Sequence, residues 1–156
     1  MEESHLWSPC RFRDDGFSDI PNVHDHFVYA LAVHLERHRL VLHTQYRDGS
    51  GPYPLIDIRF VGLVAHHFDN VAEPSILLDI QEDTPGGVIE QWAERFDRLK
   101  NHGWPAVDYV DRSELARKLA SRGVRGYRVM GSCGVDGFVL ATGVEYRLRR
   151  EAAEPG

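Results

Sequence analysis

The chain has 156 residues, and its 18 lysines and arginines stand against 24 acidic residues, which gives a formal net charge of −6. A length of this order is typical of one domain with a single core, so we expect residues 1–156 to form a single domain. With 42% hydrophobic and 27% charged residues, the composition excludes a disordered or fibrous chain. The negative balance argues against general binding to nucleic acid, because phosphates would be repelled.

The start of the chain bears on its location. It begins Met1-Glu2-Glu3 and lacks the positive start and the apolar stretch of a signal peptide. No apolar run approaches the roughly 20 residues that span a membrane. We therefore expect a cytoplasmic protein that does not bind membranes. Its two cysteines, Cys10 and Cys133, are too few for a disulfide framework and are predicted to be free thiols.

The first half of the chain predicts strands. Residues 1–22 show no sustained period, and we interpret them as an irregular arm. From Phe27 to His34 the residues are rich in β-branched and aromatic types, and residues 40–46 alternate between apolar and polar. Residues 36–39 form a polar turn between them. The pattern predicts an antiparallel hairpin, which ends at the glycines and proline of residues 48–52.

Two further strands are predicted before the helices. A long alternation covers residues 55–68, and Gly62 is expected to mark a bulge or sharp bend within it. A fourth strand runs over residues 75–80. The chain then changes from a period of 2 to a period of 3.6.

Two helices are predicted in this later part. The first has Thr84 as its cap, Pro85 at its first position and Gly103 as its stop, with Trp92 and Phe96 on its apolar face. The second, shorter helix is predicted to start at Ser113, to bury Leu115, Ala116 and Leu119, and to end at Gly123.

The end of the chain predicts a second hairpin. Residues 127–133 and 138–148 flank Gly134-Val135-Asp136-Gly137, in which the Asp-Gly pair suits a tight turn. Residues 149–156 are expected to be a frayed tail. The predicted fold is α+β, a mostly antiparallel sheet in the form of a half-open sandwich, with two helices inserted before the C-terminal hairpin.

Nine histidines are the compositional feature that points to chemistry. His24 and His26 lie two residues apart on an extended segment, so their rings point the same way and suit one divalent ion. If His66 and His67 ran beside them, the group would form a metal site with an open position, enough to polarise water. This is the alternative prediction, a metal-dependent hydrolase. The other interpretation is that these rings pack at strand ends with a nitrogen in water.

Other catalytic patterns are weaker. Gly131-Ser132-Cys133-Gly134 precedes a hairpin turn rather than joining a strand to a helix, so it is not a nucleophile elbow. Asp57, Asp79 and Glu145 are placed on wet faces of strands, where such charges serve solubility and edge protection. We predict no catalytic residue and no cofactor.

The order of motifs resembles a known group of proteins. The residues that carry the resemblance are His24-Asp25-His26 leading into FVYALAVHLERHRLVLHTQY, then IRFVGLVAHHF, ILLDIQE and MGSCGVDGFVLATGVEYRL. Over residues 22–148 they resemble a family of uncharacterised small bacterial proteins grouped with the immunity proteins of polymorphic toxin systems. Leu63 stands where that pattern has valine after Gly62. The resemblance implies a non-enzymatic protein-binding module, an immunity-type inhibitor that occludes the active site of a toxin domain.

Charge suggests the partner. A chain of net charge −6 associates quickly with a basic protein such as a toxin nuclease. Acidic residues in the predicted connections are the candidate binding residues, and their alternative role is that of solvated loop charges. They are Asp14, Asp15, Asp19, Glu82, Asp83, Asp108 and Asp111.

Overall fold

Strands dominate the computed structural model, which describes residues 7–21, 23–47 and 55–149. Adjacent strands are antiparallel throughout these ranges, and their order in the sheet is β1-β9-β4-β3-β2-β6-β7-β8-β5. This confirms an α+β fold built mostly from antiparallel sheet. The strands are β1 (Ser8–Pro9), β2 (His26–His34), β3 (Arg39–Tyr46), β4 (Leu55–Val61), β5 (Ala65–Asp69), β6 (Ile76–Asp83), β7 (Arg125–Cys133), β8 (Asp136–Ala141) and β9 (Gly143–Arg149), and the helices are α1 (Pro85–Gln91), α2 (Ala93–Leu99) and α3 (Arg112–Ser121).

Two long strands bend where they pass each other. The predicted strand over residues 55–68 is divided into β4 and β5 by a bend at Gly62, whose φ is 63°. The return arm of the last hairpin is divided in the same way into β8 and β9 at Thr142. A Cβ on residue 62 would lie 2.1 Å from the Thr142 hydroxyl oxygen, so only glycine fits here. Because β4 pairs with β9 and β5 with β8, the two bent strands fold the sheet around its core.

The segment between the last hairpin's first two strands is shorter than predicted. Only Gly134, with a φ of 73°, and Val135 lie between β7 and β8, and Gly137 already belongs to β8. Gly137 pairs with Val129 on one side and with Phe68 on the other. A Cβ at residue 137 would lie 1.9 Å from the carbonyl oxygen of His67, so this glycine allows two strands to approach rather than a chain reversal.

The helices correct the prediction. The single helix expected after Pro85 is two helices, α1 and α2, which are separated at Trp92, whose φ of −111° and ψ of 27° are not helical. The Trp92 ring packs 5.4 Å from both His67 and Phe138, centroid to centroid, and this packing on the sheet accompanies the break. Thr84 is the cap as predicted. The last helix begins at Arg112 rather than at Ser113, because the carboxylate of Asp111 accepts the hydrogen bond from Glu114 N.

Buried residues form two clusters. One fills the inside of the folded sheet and includes Leu42, Ile58, Phe60 and Tyr127. The other lies between the sheet and the helices, where Val88, Ile89, Phe96, Leu115 and Leu119 pack on Phe138 and Leu140. Strand β8 therefore contributes to both clusters, because its successive side chains alternate between the inside of the sheet and the helices.

The amino-terminal arm is more regular than predicted. It contains β1, which pairs with β9, and Phe12 and Phe17 form isolated bridges with Ser18 and Gln81. Residue 149 belongs to β9, whereas residues 150–156 of the predicted tail and the predicted turn at residues 48–52 lie outside the described ranges. None of the helices in the described ranges has the length and the hydropathy of a membrane-spanning segment.

Candidate functional site

The structure does not bring the four predicted metal-binding histidines together. His26 is buried on β2, where its Nδ1 lies 3.0 Å from Thr44 Oγ1, and His24 is exposed with its Nε2 3.7 Å from Asp79 Oδ2. His66 and His67 lie on β5, and β6, β7 and β8 stand between β2 and β5 in the sheet. Among the described residues no group of three histidines, cysteines or acids is arranged to hold a metal ion. The geometry gives no support to the metal-dependent alternative.

The two histidines of β5 have local partners. His67 Nε2 lies 2.8 Å from Asp69 Oδ1, and the His67 ring meets Trp92 edge-on. Burial, and then the neighbouring charge of His67, lower the pKa of His66 below its ordinary value. The His67 ring therefore packs on the helix side of the sheet, and the His66 ring packs against Phe68, as the structural interpretation of the histidines expects.

The seven predicted acidic binding residues fall into two places. Asp14, Asp15, Asp19, Glu82 and Asp83 lie close to one another, because the arm at residues 16–18 bonds to the backbone of Ile80 and Glu82. Asp108 and Asp111 lie in the loop before α3. Most of these carboxylates have local partners: Asp15 accepts from Phe17 N, Asp19 from Arg11 N and Asp111 from Glu114 N, while Glu82 pairs with Arg125 and Asp83 with Arg128.

Through these bonds the carboxylates stabilise turns and a helix cap and form ion pairs within the fold. Asp14 and Asp108 are exposed. Contact of this acidic group with a basic partner stays a prediction.

Two carboxylates predicted to lie on wet faces are buried. Asp79 is 1% exposed and accepts hydrogen bonds from Ser18 Oγ at 2.7 Å and from Ile80 N. Asp57 has no exposed surface at all. The alternation of β4 predicts a wet position for Asp57, but the side chains of His43 and Arg147 on the neighbouring strands cover it. Burying a charge in this way is costly unless it is paired and hydrogen-bonded.

Asp57 is paired on both sides. In the register of the sheet His43 of β3 and Arg147 of β9 stand directly opposite it. His43 Nδ1 lies 2.8 Å from Asp57 Oδ1, and Arg147 Nε donates to Oδ2 at 2.8 Å. Arg149 adds a bond from Nη2 to Oδ1 at 3.0 Å. Three cationic or ionisable side chains from two strands thus converge on one buried carboxylate.

These partners decide the charge state of Asp57. Burial by itself raises the pKa of Asp57, whereas the hydrogen bonds from His43 and Arg147 and the charges of Arg149 and His43 lower it. The partners prevail, so the pKa lies below its ordinary value and the carboxylate is ionised at neutral pH. An ionised Asp57 holds the guanidinium groups of Arg147 and Arg149 in fixed positions.

Aromatic and further charged groups surround this cluster. Tyr29 accepts a hydrogen bond from Arg149 Nη2 at 2.9 Å, and its ring lies 6.0 Å from that of His43. The Trp7 ring lies under two guanidinium groups, 4.0 Å from that of Arg59 and 4.5 Å from that of Arg147. We call this surface the arginine face, and define it by Trp7, Tyr29, His43, Asp57, Arg59, Glu145, Arg147 and Arg149.

The arginine face differs in sign from the chain as a whole. It carries three guanidinium groups and two carboxylates, those of Asp57 and Glu145, within a chain of net charge −6. The sequence contained one signal for it, since alternation places His43, Asp57 and Arg147 on the same side of their strands. It did not show that the three residues stand side by side, which depends on the register of three strands.

No family model matches the chain, no curated protein matches its sequence and no solved structure matches its fold. The site is therefore interpreted from its own geometry. The resemblance to immunity proteins of toxin systems is therefore still a prediction.

Proposed function

We propose that this chain is a non-enzymatic protein-binding module whose binding surface is the arginine face. The observation that carries the proposal is the buried carboxylate of Asp57, which holds His43, Arg147 and Arg149 in place. Side chains that are ordered before binding lose less conformational entropy when a partner arrives. Arginine, tyrosine and tryptophan are also the residue types that most often dominate the energy of protein interfaces.

The partner is expected to present carboxylates to this face. A guanidinium group has a planar fork of donors that matches a carboxylate in two parallel hydrogen bonds. The net charge of −6 does not prevent such binding at physiological salt, because charges more than about 8 Å apart are largely screened there. The local positive charge of the arginine face therefore matters more than the total charge of the chain.

An immunity-type inhibitor is the specific form of this function that we propose. A toxin domain whose active site is lined by carboxylates offers the complementary surface, and covering it stops the toxin. This differs from the basic toxin expected from the net charge. Five of the seven acidic residues behind that expectation, Asp15, Asp19, Glu82, Asp83 and Asp111, already bond to Arg125, Arg128 or backbone amides.

Co-expression tests this function. Each toxin domain encoded beside the gene of this chain is expressed in a host with and without the chain, and growth is measured. We expect one toxin to be neutralised and to bind the purified chain in calorimetry, with affinity that falls as salt rises. No rescue by the chain and no binding to any of these domains would contradict the proposal.

A conservative pair of variants tests the surface. Arg149→Lys keeps a positive charge near Asp57 but loses the planar fork, and we expect it to weaken binding of the toxin at least tenfold. Arg117→Lys makes the same change on an exposed position of α3 and should leave binding within twofold. Equal affinities for both variants would show that the arginine face is not the binding surface.

A further inference from the structure

β2 has a free edge over its second half. It pairs with β3 along its whole length, from His26 to His34. On its other side it pairs with β6 only at His26 and Phe27, and Val28 N donates to Ser75 O at 2.8 Å. Beyond that point, no strand of residues 7–21, 23–47 or 55–149 lies beside residues 30–34. Within these ranges, the backbone groups of residues 30–34 that point away from β3 therefore have no strand partner.

The facing edge of β6, unlike that of β2, is covered by another segment of the chain. There the amino-terminal arm supplies backbone partners, since Ser18 N donates to Ile80 O at 3.0 Å and Glu82 N donates to Gly16 O at 2.8 Å. The arm thus covers one side of the gap between β2 and β6 and leaves the other side open.

The open edge of β2 lacks the usual protection. Residues 29–33 contain no proline and no charged residue, whereas exposed edges normally carry such residues to prevent pairing with other chains. Its apolar side chains are partly in solvent, with Tyr29 46% and Leu31 37% exposed. An edge of this kind favours pairing with an added strand.

A pocket of about 310 Å³ adjoins this edge, and this volume is at the low end of those that hold ligands. Tyr29 and Leu31 line it from β2, and Val71 and Pro74 line it from the opposite loop. Arg47 also lines it, and its guanidinium lies 4.8 Å from the centre of the Phe27 ring. In strand addition, main-chain hydrogen bonds supply affinity and side-chain pockets of this kind supply specificity.

Charges near the edge favour an acidic occupant. Arg47 lies at the start of the edge and Arg149 bonds to the Tyr29 hydroxyl, while Arg37 and Arg39 lie at its other end, in and after the turn that follows β2. Three carboxylates oppose them: Asp57 bonds to Arg149, Glu73 lines the pocket, and Glu36 belongs to the turn. Four guanidinium groups against three carboxylates leave a net positive charge, which suits a segment that carries Asp or Glu.

We infer that β2 receives an extended acidic segment of the partner as an added strand, with one apolar side chain of that segment in the pocket and a carboxylate on Arg47. The inference rests on the proposed function, because Tyr29 belongs both to the arginine face and to the pocket. The two surfaces are therefore one continuous binding region.

A displayed library of random twelve-residue peptides, selected on the full chain, tests this inference. We expect the selected peptides to alternate β-branched or aromatic residues with Asp and Glu. Synthetic copies should protect from hydrogen exchange those backbone amides of residues 30–34 that do not already bond to β3, a measurement that needs no variant. A library that yields no binder, or binders that protect other amides, would overturn the inference.

Matched variants locate the contact. Leu31→Glu places a like charge at the pocket and should weaken the selected peptides at least tenfold, whereas Leu148→Glu, at another exposed leucine on a strand, should leave binding within twofold. Equal binding by both variants counts against the inference. If the chain alone forms dimers that protect residues 30–34, the occupant is a second copy and the inference is wrong.

The two proposals fail in different ways. If the Leu31→Glu variant still neutralises a toxin and the Arg149→Lys variant does not, strand addition is contradicted and the arginine face is supported as the binding surface. If Leu31→Glu abolishes peptide binding and the chain gives no rescue from any toxin, the immunity function is contradicted and strand addition at β2 is supported.

Discussion

His43 Nδ1 lies 2.8 Å from Asp57 Oδ1, and the two residues occupy directly paired positions on β3 and β4. Asp57 has no exposed surface, whereas the side chain of His43 is 28% exposed. The pair therefore links the buried carboxylate to the surface of the arginine face. Arg147 completes the row from β9, on the other side of β4.

Replacing Asp57 by asparagine tests how much this row contributes to stability. Asp57→Asn removes the charge that compensates Arg147 and Arg149, and breaking a buried pair in this way costs about 3–5 kcal/mol. We expect that loss in the free energy of unfolding, measured with urea. Glu145→Gln removes the carboxylate of a more exposed ion pair and should cost about 1 kcal/mol or less. Similar losses in both variants would contradict the special role of Asp57.

The same residue predicts a dependence of stability on acid. The pKa of folded Asp57 lies below its ordinary value of 3.8, so the ionised form stabilises the fold above that value and this contribution is lost as pH falls through the folded pKa. The difference in unfolding free energy between the wild type and Asp57→Asn should be constant near neutral pH and shrink below about pH 4. Urea titrations at several pH values measure it, and an unchanged difference in strong acid would be the opposite result.

His66 also predicts that stability depends on pH, here because the folded chain disfavours the charged form of the side chain. Burial and the neighbouring His67 lower the pKa of His66 below its ordinary value of 6.5, so the folded chain holds its proton less readily than the unfolded chain does. Stability therefore rises with pH between the folded pKa and 6.5. Below the folded pKa, His66 is protonated in both states, and the full loss of stability from protonating it in the folded chain has been reached. Between about pH 7 and pH 5 the wild type should lose more stability than His66→Gln. Equal losses would show that His66 does not contribute.

The bend at Gly62 predicts a large effect of one methyl group. Gly62→Ala combines a positive φ with a Cβ 2.1 Å from Thr142 Oγ1, and we expect a loss of roughly 2–5 kcal/mol in the free energy of unfolding. Gly103→Ala is the matched control, because its φ is 73° but no atom lies within 4 Å of the added Cβ. It should cost only about 1–2 kcal/mol. Thermal and urea unfolding of the two variants compare the costs.

The two free thiols should differ in reactivity. Cys133 is exposed, whereas burial, followed by the charge of Asp19, raises the pKa of Cys10 to about 12. Because the thiolate is the reactive form, Ellman's reagent should modify one thiol per native chain quickly and the second only after unfolding. Cys133→Ser should remove the fast phase. A fast phase that remains in Cys133→Ser would contradict this assignment.

Local patterns in the sequence were enough to predict much of the fold. Alternation over residues 27–34 and 40–46 predicted β2 and β3, and Gly62 predicted the bend between β4 and β5. The sequence also showed that a helical segment follows Thr84. It did not show the break at Trp92, because that residue leaves the helical conformation where its ring packs on His67 and Phe138, which are distant in sequence.

The arginine face depended on the tertiary structure. Alternation alone determined that His43, Asp57 and Arg147 occupy the outer side of their strands, since successive side chains of a strand point to opposite faces. Only the register of β3, β4 and β9 decided that they stand side by side, because residues 14 and 90 positions apart meet through long-range pairing. The same pairing decided that Asp57 is buried, since the side chains that exclude water from it come from the two neighbouring strands.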